Sequence, residues 1–254
     1  MKLQQMSWVQ AEEYFARKDI VVIPVGSTEN HGPQLGLGTD FLIPSFLADK
    51  LSARLDMVFA PAIPFGVCDH HEEFPGTINL GYDGLYDLVR RVTDSLWKHG
   101  ARKFVFLNGH GGNDPVLTRI CMELDRKGGL GALLNWWQIA PQINKAWTGG
   151  HAGAEETAAM MAIHPDHVHM ELYRPFVPRD LSPELPFDGS SKVKCGPVSV
   201  NVSRRVHRYS DAGWYGNDDP KLATPEWGTE MLQATEDWMA DFLEKFERVP
   251  FYKD

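Results

Sequence analysis

The chain is short of what a disulfide scaffold, a membrane span or a nucleic-acid groove requires. Its three cysteines, Cys68, Cys121 and Cys195, lie far apart. An odd, sparse set builds no disulfide framework, and no Cys-x-x-Cys pair offers a zinc site. Cys121 falls inside a predicted helix and reads as a small buried hydrophobe. No apolar run approaches the roughly 18 residues that cross a bilayer. Residues 1–19 lack the apolar core of a secretory signal. The expected location is therefore cytoplasmic, with no membrane partner. Positive charge is also scarce: 25 Lys and Arg face 34 Asp and Glu, a net charge of −9. A nucleic-acid groove needs clustered cations to offset phosphate, so nucleic acid is not an expected partner. Several catalytic motifs are missing too. The first strand leads into neither a G-x-S-x-G elbow nor a G-x-G-x-x-G turn, and there is no P-loop and no H-E-x-x-H.

What is present suits a single α/β unit over residues 1–254. A composition of 43% hydrophobic and 23% charged residues is that of a globular protein with a sizeable core. DIVVIPVG (19–26), MVFAPAIPFG (57–66), RKFVFLNG (102–109) and LGALLNWWQ (130–138) read as strands. FLIPSFLADKLSARL (41–55), LYDLVRRVTDSLWKHG (85–100), DPVLTRICMELDRKGG (114–129) and AEETAAMMAIHP (154–165) read as helices. Gly100 closes the second of these; Asp114 as N-cap and Pro115 as first helical residue open the third. A last helix runs from about Thr224 to about Val249, and HVHMELY (167–173) alternates like a further strand. Such alternation implies a mostly parallel sheet covered by helices, with sites at the carboxyl ends of its strands. Residues 174–216, rich in Pro, Ser and Gly, break the pattern and read as an irregular excursion, a lid or a subunit contact.

Carboxylates and imidazoles gather where strands are expected to end. GSTENHGPQLGLGTD (26–40) carries Glu29, His31 and Asp40; NGHGGN (108–113) carries His110; GGHAGAEET (149–157) carries His151, Glu155 and Glu156. Such N and O donors bind Zn, Mn or Fe without thiolates. Each block has a bland counterpart. Asp40 could cap the helix that follows, a loop histidine is often mere surface, and the glycine-flanked histidines could be ordinary turns. Recurrence of acid and imidazole beside glycine in three blocks favours a metal site.

These blocks, with FPGTINL (74–80) and DPKLATPEWG (219–228), resemble the signature of the creatininase (creatinine amidohydrolase) family over residues 5–245. The resemblance implies a three-layer α/β/α sandwich with a mostly parallel central sheet. It also implies a hydrolase with two divalent metal ions per chain, Zn, Mn or Fe, usually a homohexamer. By resemblance, Glu29, Asp40 and His110 hold one metal; His31 and Asp40 hold the second, with Asp40 bridging. Creatininase itself carries a glutamate two residues after the histidine of N-G-H, where this chain has Gly112. Relatives with NGHGGN use the glutamate of the HAG-x-x-E-T block, which is Glu156 here rather than its neighbour Glu155. His151 would shuttle a proton. Trp136, Trp137 and Trp147 are candidates either to cover the substrate or to fill core or interface.

The implied reaction is attack of a metal-bridging water on the carbonyl of a small-molecule substrate. The expected substrate is a cyclic amide, as in creatininase-like members, or a related small cyclic compound; the alternatives are an inositol-derived cyclic diketone (3-dehydro-scyllo-inosose type) and a formamide, as in other members. Gly112 argues against creatinine itself, and the polar run DHHEE (69–73) leans toward a hydroxylated substrate. The rivals are a mononuclear metal peptidase and a metal-binding structural protein without turnover.

Overall fold

Branched apolar runs with no polar face form the central strands, and amphipathic segments pack over them. The computed structural model describes residues 1–252. In chain order it holds α1 (Trp8–Phe15), β1 (Ile20–Val25), α2 (Thr39–Arg54), β2 (Val58–Phe59), α3 (Gly81–Lys98), β3 (Lys103–Asn108) and α4 (Asp114–Arg126). Then follow β4 (Leu130–Asn135), α5 (Trp136–Ile143), α6 (Ala154–Ile163), β5 (Lys192–Cys195), β6 (Val198–Asn201) and α7 (Pro225–Glu247). Strands β2–β1–β3–β4 lie side by side in that order, all parallel.

Alternation along the strands splits the core in two. Ile20, Val22, Val105 and Leu107 face a cluster with Ile43 and Leu47 of α2, Ile139 of α5, Met160 of α6 and Met231 of α7. Val21, Ile23, Phe104 and Phe106 face Tyr14 of α1, Leu85 and Val89 of α3, and Leu117 of α4. Both faces of the sheet are thus covered, giving the three layers. Each fully buried side chain of this kind contributes roughly 1.5–3 kcal/mol. Register decides where the site falls. Val25 pairs with Asn108 and Asn108 with Asn135, so β1, β3 and β4 end level and their following loops leave from one rim.

Several segments differ from the sequence expectation. The 57–66 run keeps only two strand residues, because Pro61 and Pro64 have no N–H to give a ladder. Beyond them only an isolated bridge, Val25 to Ile63, continues the pairing. HVHMELY is not a strand: it forms two 3-10 turns, Pro165–His167 and Met170–Leu172, with one bridge from Val168 to Leu35. The fourth strand stops at Asn135, and Trp136 opens a helix with Pro141 inside it. Asn113, not Asp114, occupies the N-cap of α4. Asp114 instead accepts hydrogen bonds from Asn108 and Asn135, both at 2.9 Å, and so ties the ends of β3 and β4. Residues 174–216 contain the antiparallel pair β5–β6. Thr224 caps α7, accepting from the Trp227 N–H at 3.1 Å. Among the described residues no helix is long and apolar enough to cross a membrane.

Candidate active site

The rim of the sheet brings Glu29, His31, Asp40, His110, His151 and Glu156 together. Asp40 sits in the first turn of α2, whose N-cap is Gly38. It is therefore not the cap that the sequence allowed; its carboxylate turns inward and is 3% exposed. The first turn of α2 can lie this close to the strand ends because residues 26 and 109 are glycine. A Cβ on either would fall far inside van der Waals contact with the Asp40 backbone. Ser27 donates its hydroxyl to Asp40 Oδ2 at 2.8 Å.

Three imidazoles are oriented by the same device. His31 Nδ1 faces the Glu29 carbonyl at 3.1 Å, His110 Nε2 the Val67 carbonyl at 2.7 Å, and His151 Nε2 the Asn30 carbonyl at 2.8 Å. A carbonyl can only accept, so each of those nitrogens carries the proton. The opposite nitrogen of each ring points at the acid cluster. His31 Nε2 lies 2.8 Å from Asp40 Oδ1 and 3.7 Å from Glu156 Oε2. His110 Nδ1 lies 2.9 Å from Asp40 Oδ2 and 3.3 Å from Glu29 Oε1. His151 Nδ1 lies 3.9 Å from Glu29 Oε1. Hydrogen bonding of one ring nitrogen to a carbonyl is how ligating histidines are held for a metal.

A fourth histidine, His71, was not singled out in the sequence and is wired the other way. Its Nδ1 accepts from the Asn30 side-chain amide at 3.3 Å. The proton therefore sits on Nε2, which points at Glu29 Oε1 from 3.6 Å. His71 presents a donor to the site, not a lone pair.

Electrostatics show why such a cluster suits a cation. Glu29 is fully buried, and among the described residues neither of its carboxylate oxygens receives a hydrogen bond. Burial pushes its carboxyl up to about 7, with His110 pulling the other way. Burial likewise raises Glu156 to about 7, against the pull of His31. Burial disfavours charge on His31 and His110 as well, but Asp40 lifts His31 to about 10 and Glu29 lifts His110 well above its usual range. Asp40 is buried too, yet the same two imidazoles hold it well below the usual carboxylate range. An unpartnered buried carboxylate is costly, and a divalent cation between the oxygens and ring nitrogens removes the cost. Donor atoms of His31, Asp40 and Glu156 lie within 4.8 Å of one another, as do those of Glu29, His31 and His151, and those of Glu29, Cys68 and His110. The residues present fit divalent metal.

Glu156 and Glu155 part company as neighbours on a helix must. Glu156 reaches His31 and also accepts from the Ala152 N–H at 2.6 Å. Glu155 turns toward Asp218 beside Gly149; burial, then Glu156 and Asp218, push its carboxyl well above the usual carboxylate range. The HAGAEET block does not follow a sheet strand as expected; it enters the site from the start of α6. Gly112 leaves no space for the acid that creatininase itself carries there, since a Cβ would overlap the Val67 carbonyl and His110 Nε2.

Above the cluster lies a cavity of about 430 Å³, in the size range of small-ligand sites. Besides the acids and imidazoles it is lined by Asp69, His70, Trp137, Ser190 and Tyr215. Of the three tryptophans only Trp137 reaches it; Trp136 and Trp147 are buried in the core. Tyr215 stacks on His151 with ring centres 5.2 Å apart, while His71 and His31 flank the same ring at 4.2 and 4.6 Å. Nothing in the local sequence marks Tyr215 or Ser190, because the 174–216 segment reaches the rim only through tertiary folding.

The family model for creatininase, described as creatinine amidohydrolase, matches residues 4–243. The chain belongs to the creatininase family. Within it, the 3-dehydro-scyllo-inosose hydrolase of Thermotoga maritima is 28% identical over 272 residues, covering 96% of this chain and 82% of that protein. The mycofactocin precursor peptide peptidase of Mycobacterium tuberculosis is 38% identical over 168 residues, and the match covers 61% of this chain and 62% of that protein. A crystal structure of creatinine amidohydrolase (creatininase) aligns with a TM-score of 0.77 over 98% of both chains at 23% identity, which speaks for the shared fold. This creatininase-family chain is a metal-dependent hydrolase.

Proposed function

We propose that the chain hydrolytically opens a small, hydroxylated cyclic carbonyl compound, using two divalent cations. Glu29, Asp40 and His110 would hold one; His31, Asp40 and Glu156 would hold the other. The observation that carries this reading is the fully buried Glu29 carboxyl, without a hydrogen-bond partner among the described residues, beside ring nitrogens that backbone carbonyls turn toward the acid cluster. When bound, such cations lower the pKa of a water from 15.7 toward about 7 and stabilise the developing oxyanion.

The protein's own groups supply the rest. His151 is neutral, because burial and then His31 lower its pKa to about 3. Its Nε2–H is spent on the Asn30 carbonyl, so Nδ1 is the free base facing the cavity and can take a proton and pass it to the leaving group. The flanking rings of Tyr215, His71 and His31 hold that imidazole in plane. His71 offers its Nε2–H toward the same spot. The rim also brings Asp69, Ser190 and Tyr215 to the cavity wall, polar partners for substrate hydroxyls. A cyclic diketone of the inosose type is favoured over a lactam by that wall and by a likeness to the inosose hydrolase that spans 96% of this chain and 82% of that protein.

His151→Ala is expected to lower kcat roughly 10²–10⁴-fold with metal content unchanged, read by steady-state kinetics beside elemental analysis. Unaltered kcat would remove His151 from the reaction. Metal-loaded protein should turn over 3-dehydro-scyllo-inosose in preference to creatinine, a formylaminopyrimidine or a short peptide. Faster turnover of any of those three would replace the proposed substrate.

A further inference from the structure

We infer that Cys68 is a fourth protein ligand, beside Glu29, Asp40 and His110, at one of the two cation positions, which makes that position a mixed oxygen, nitrogen and sulfur site. The inference rests on the two-cation reading above and concerns a residue outside the acid and histidine set. One donor atom from each of Glu29, Cys68 and His110 lies within 4.8 Å of the other two. Zinc takes sulfur at about 2.3 Å and nitrogen or oxygen at about 2.0–2.2 Å, so donors this close converge on one ion with small side-chain shifts.

The bland alternative is a cysteine that merely fills a hydrophobic gap, as Cys121 does. Cys121 packs against one of the two apolar cores. Cys68 is 1% exposed yet belongs to neither. Its neighbours are a carboxylate and an imidazole, which aliphatic packing does not explain. The Glu29 oxygens that it faces accept from no nitrogen or oxygen donor among the described residues, which leaves the thiol as the polar group turned toward them.

The backbone around the thiol is also pinned to the site. The Cys68 N–H donates to Asn79 Oδ1 at 2.8 Å, and its carbonyl accepts from the His71 N–H at 2.9 Å. One residue earlier, the Val67 carbonyl is the group that orients His110. The same short segment therefore sets the ring of one ligand and presents the next. A soft sulfur donor biases that position toward zinc or iron and away from manganese.

The test is optical. Metal-free protein is loaded with Co²⁺, and the near-ultraviolet region is read for a sulfur-to-cobalt charge-transfer band. The band is expected in the native protein, in Cys121→Ser and in Cys195→Ser, and should be lost in Cys68→Ser while the visible cobalt bands persist. In parallel, X-ray absorption of the zinc-loaded native protein should contain a sulfur shell at about 2.3 Å; this measurement decides the matter alone if Cys68→Ser fails to fold. Bound cobalt with no sulfur band, or a zinc spectrum of nitrogen and oxygen only, overturns the inference and leaves the two-cation reading standing. Failure to bind cobalt or zinc at all overturns both.

Discussion

Replacing Asp40 with alanine should cut kcat/KM by at least about 10³-fold and reduce metal content to one ion per chain or fewer. Among the described residues Asp40 is the single carboxylate that meets both His31, at 2.8 Å, and His110, at 2.9 Å, through different oxygens. Its loss therefore damages both proposed cation positions. A metal contributes several kcal/mol of charge stabilisation in the transition state, and about 4 kcal/mol is a factor of ~10³. Asp40→Asn, matched in size but without charge, should behave nearly the same. Elemental analysis and steady-state kinetics on both variants check the claim. Two ions and full activity in Asp40→Asn would show that Asp40 is not shared.

Gly109→Ala should destabilise the protein by about 3 kcal/mol, at the upper end of ordinary overpacking, and lower Tm by on the order of 10 °C. The added methyl group would drive into the Asp40 carbonyl and sit 2.9 Å from Pro44 Cγ. Neither side can yield easily. The Gly109 N–H is bonded to the Val25 carbonyl at 2.8 Å, and Asp40 lies in the first turn of a 16-residue helix packed on the sheet. Metal retention should fall in the same variant, because the helix carries Asp40 with it. Calorimetry of the metal-free and metal-loaded forms separates the two effects. A melting curve like that of the native protein would mean that the helix can slide off the strand ends at little cost.

The three long strands were readable because their residues are apolar on both faces, and the long helices because their apolar stripes recur at helical spacing. The failures have local physical causes. The 57–66 run has strand-like composition, but its prolines cannot join a ladder. HVHMELY alternates, yet short 3-10 turns and backbone bonds to Gln34 and Gly36 satisfy it instead. The helix at Trp136 was hidden by the apolar strand that runs straight into it. Within the site, Glu29, His31 and Asp40 stood out because they share one short glycine-rich segment. Cys68 and His71 did not, since no spacing rule links residues 68–71 to residue 29. Their proximity comes from the loop after β2 folding back over the ends of β1 and β3, a relation that only the assembled sheet creates.

Asn30 binds three distant stretches at once: its backbone N–H donates to Thr77 Oγ1, its carbonyl accepts from His151, and its amide donates to the Gly213 carbonyl at 2.6 Å. The 174–216 wall is thus tied to the chemistry near its end, through Gly213 and through Tyr215, whose N–H donates to the His151 carbonyl, and again at Val206, whose N–H donates to the His70 carbonyl. Changes between these ties should reshape the cavity wall, and with it the outline of the molecules admitted, while Asn30 goes on holding the His151 ring.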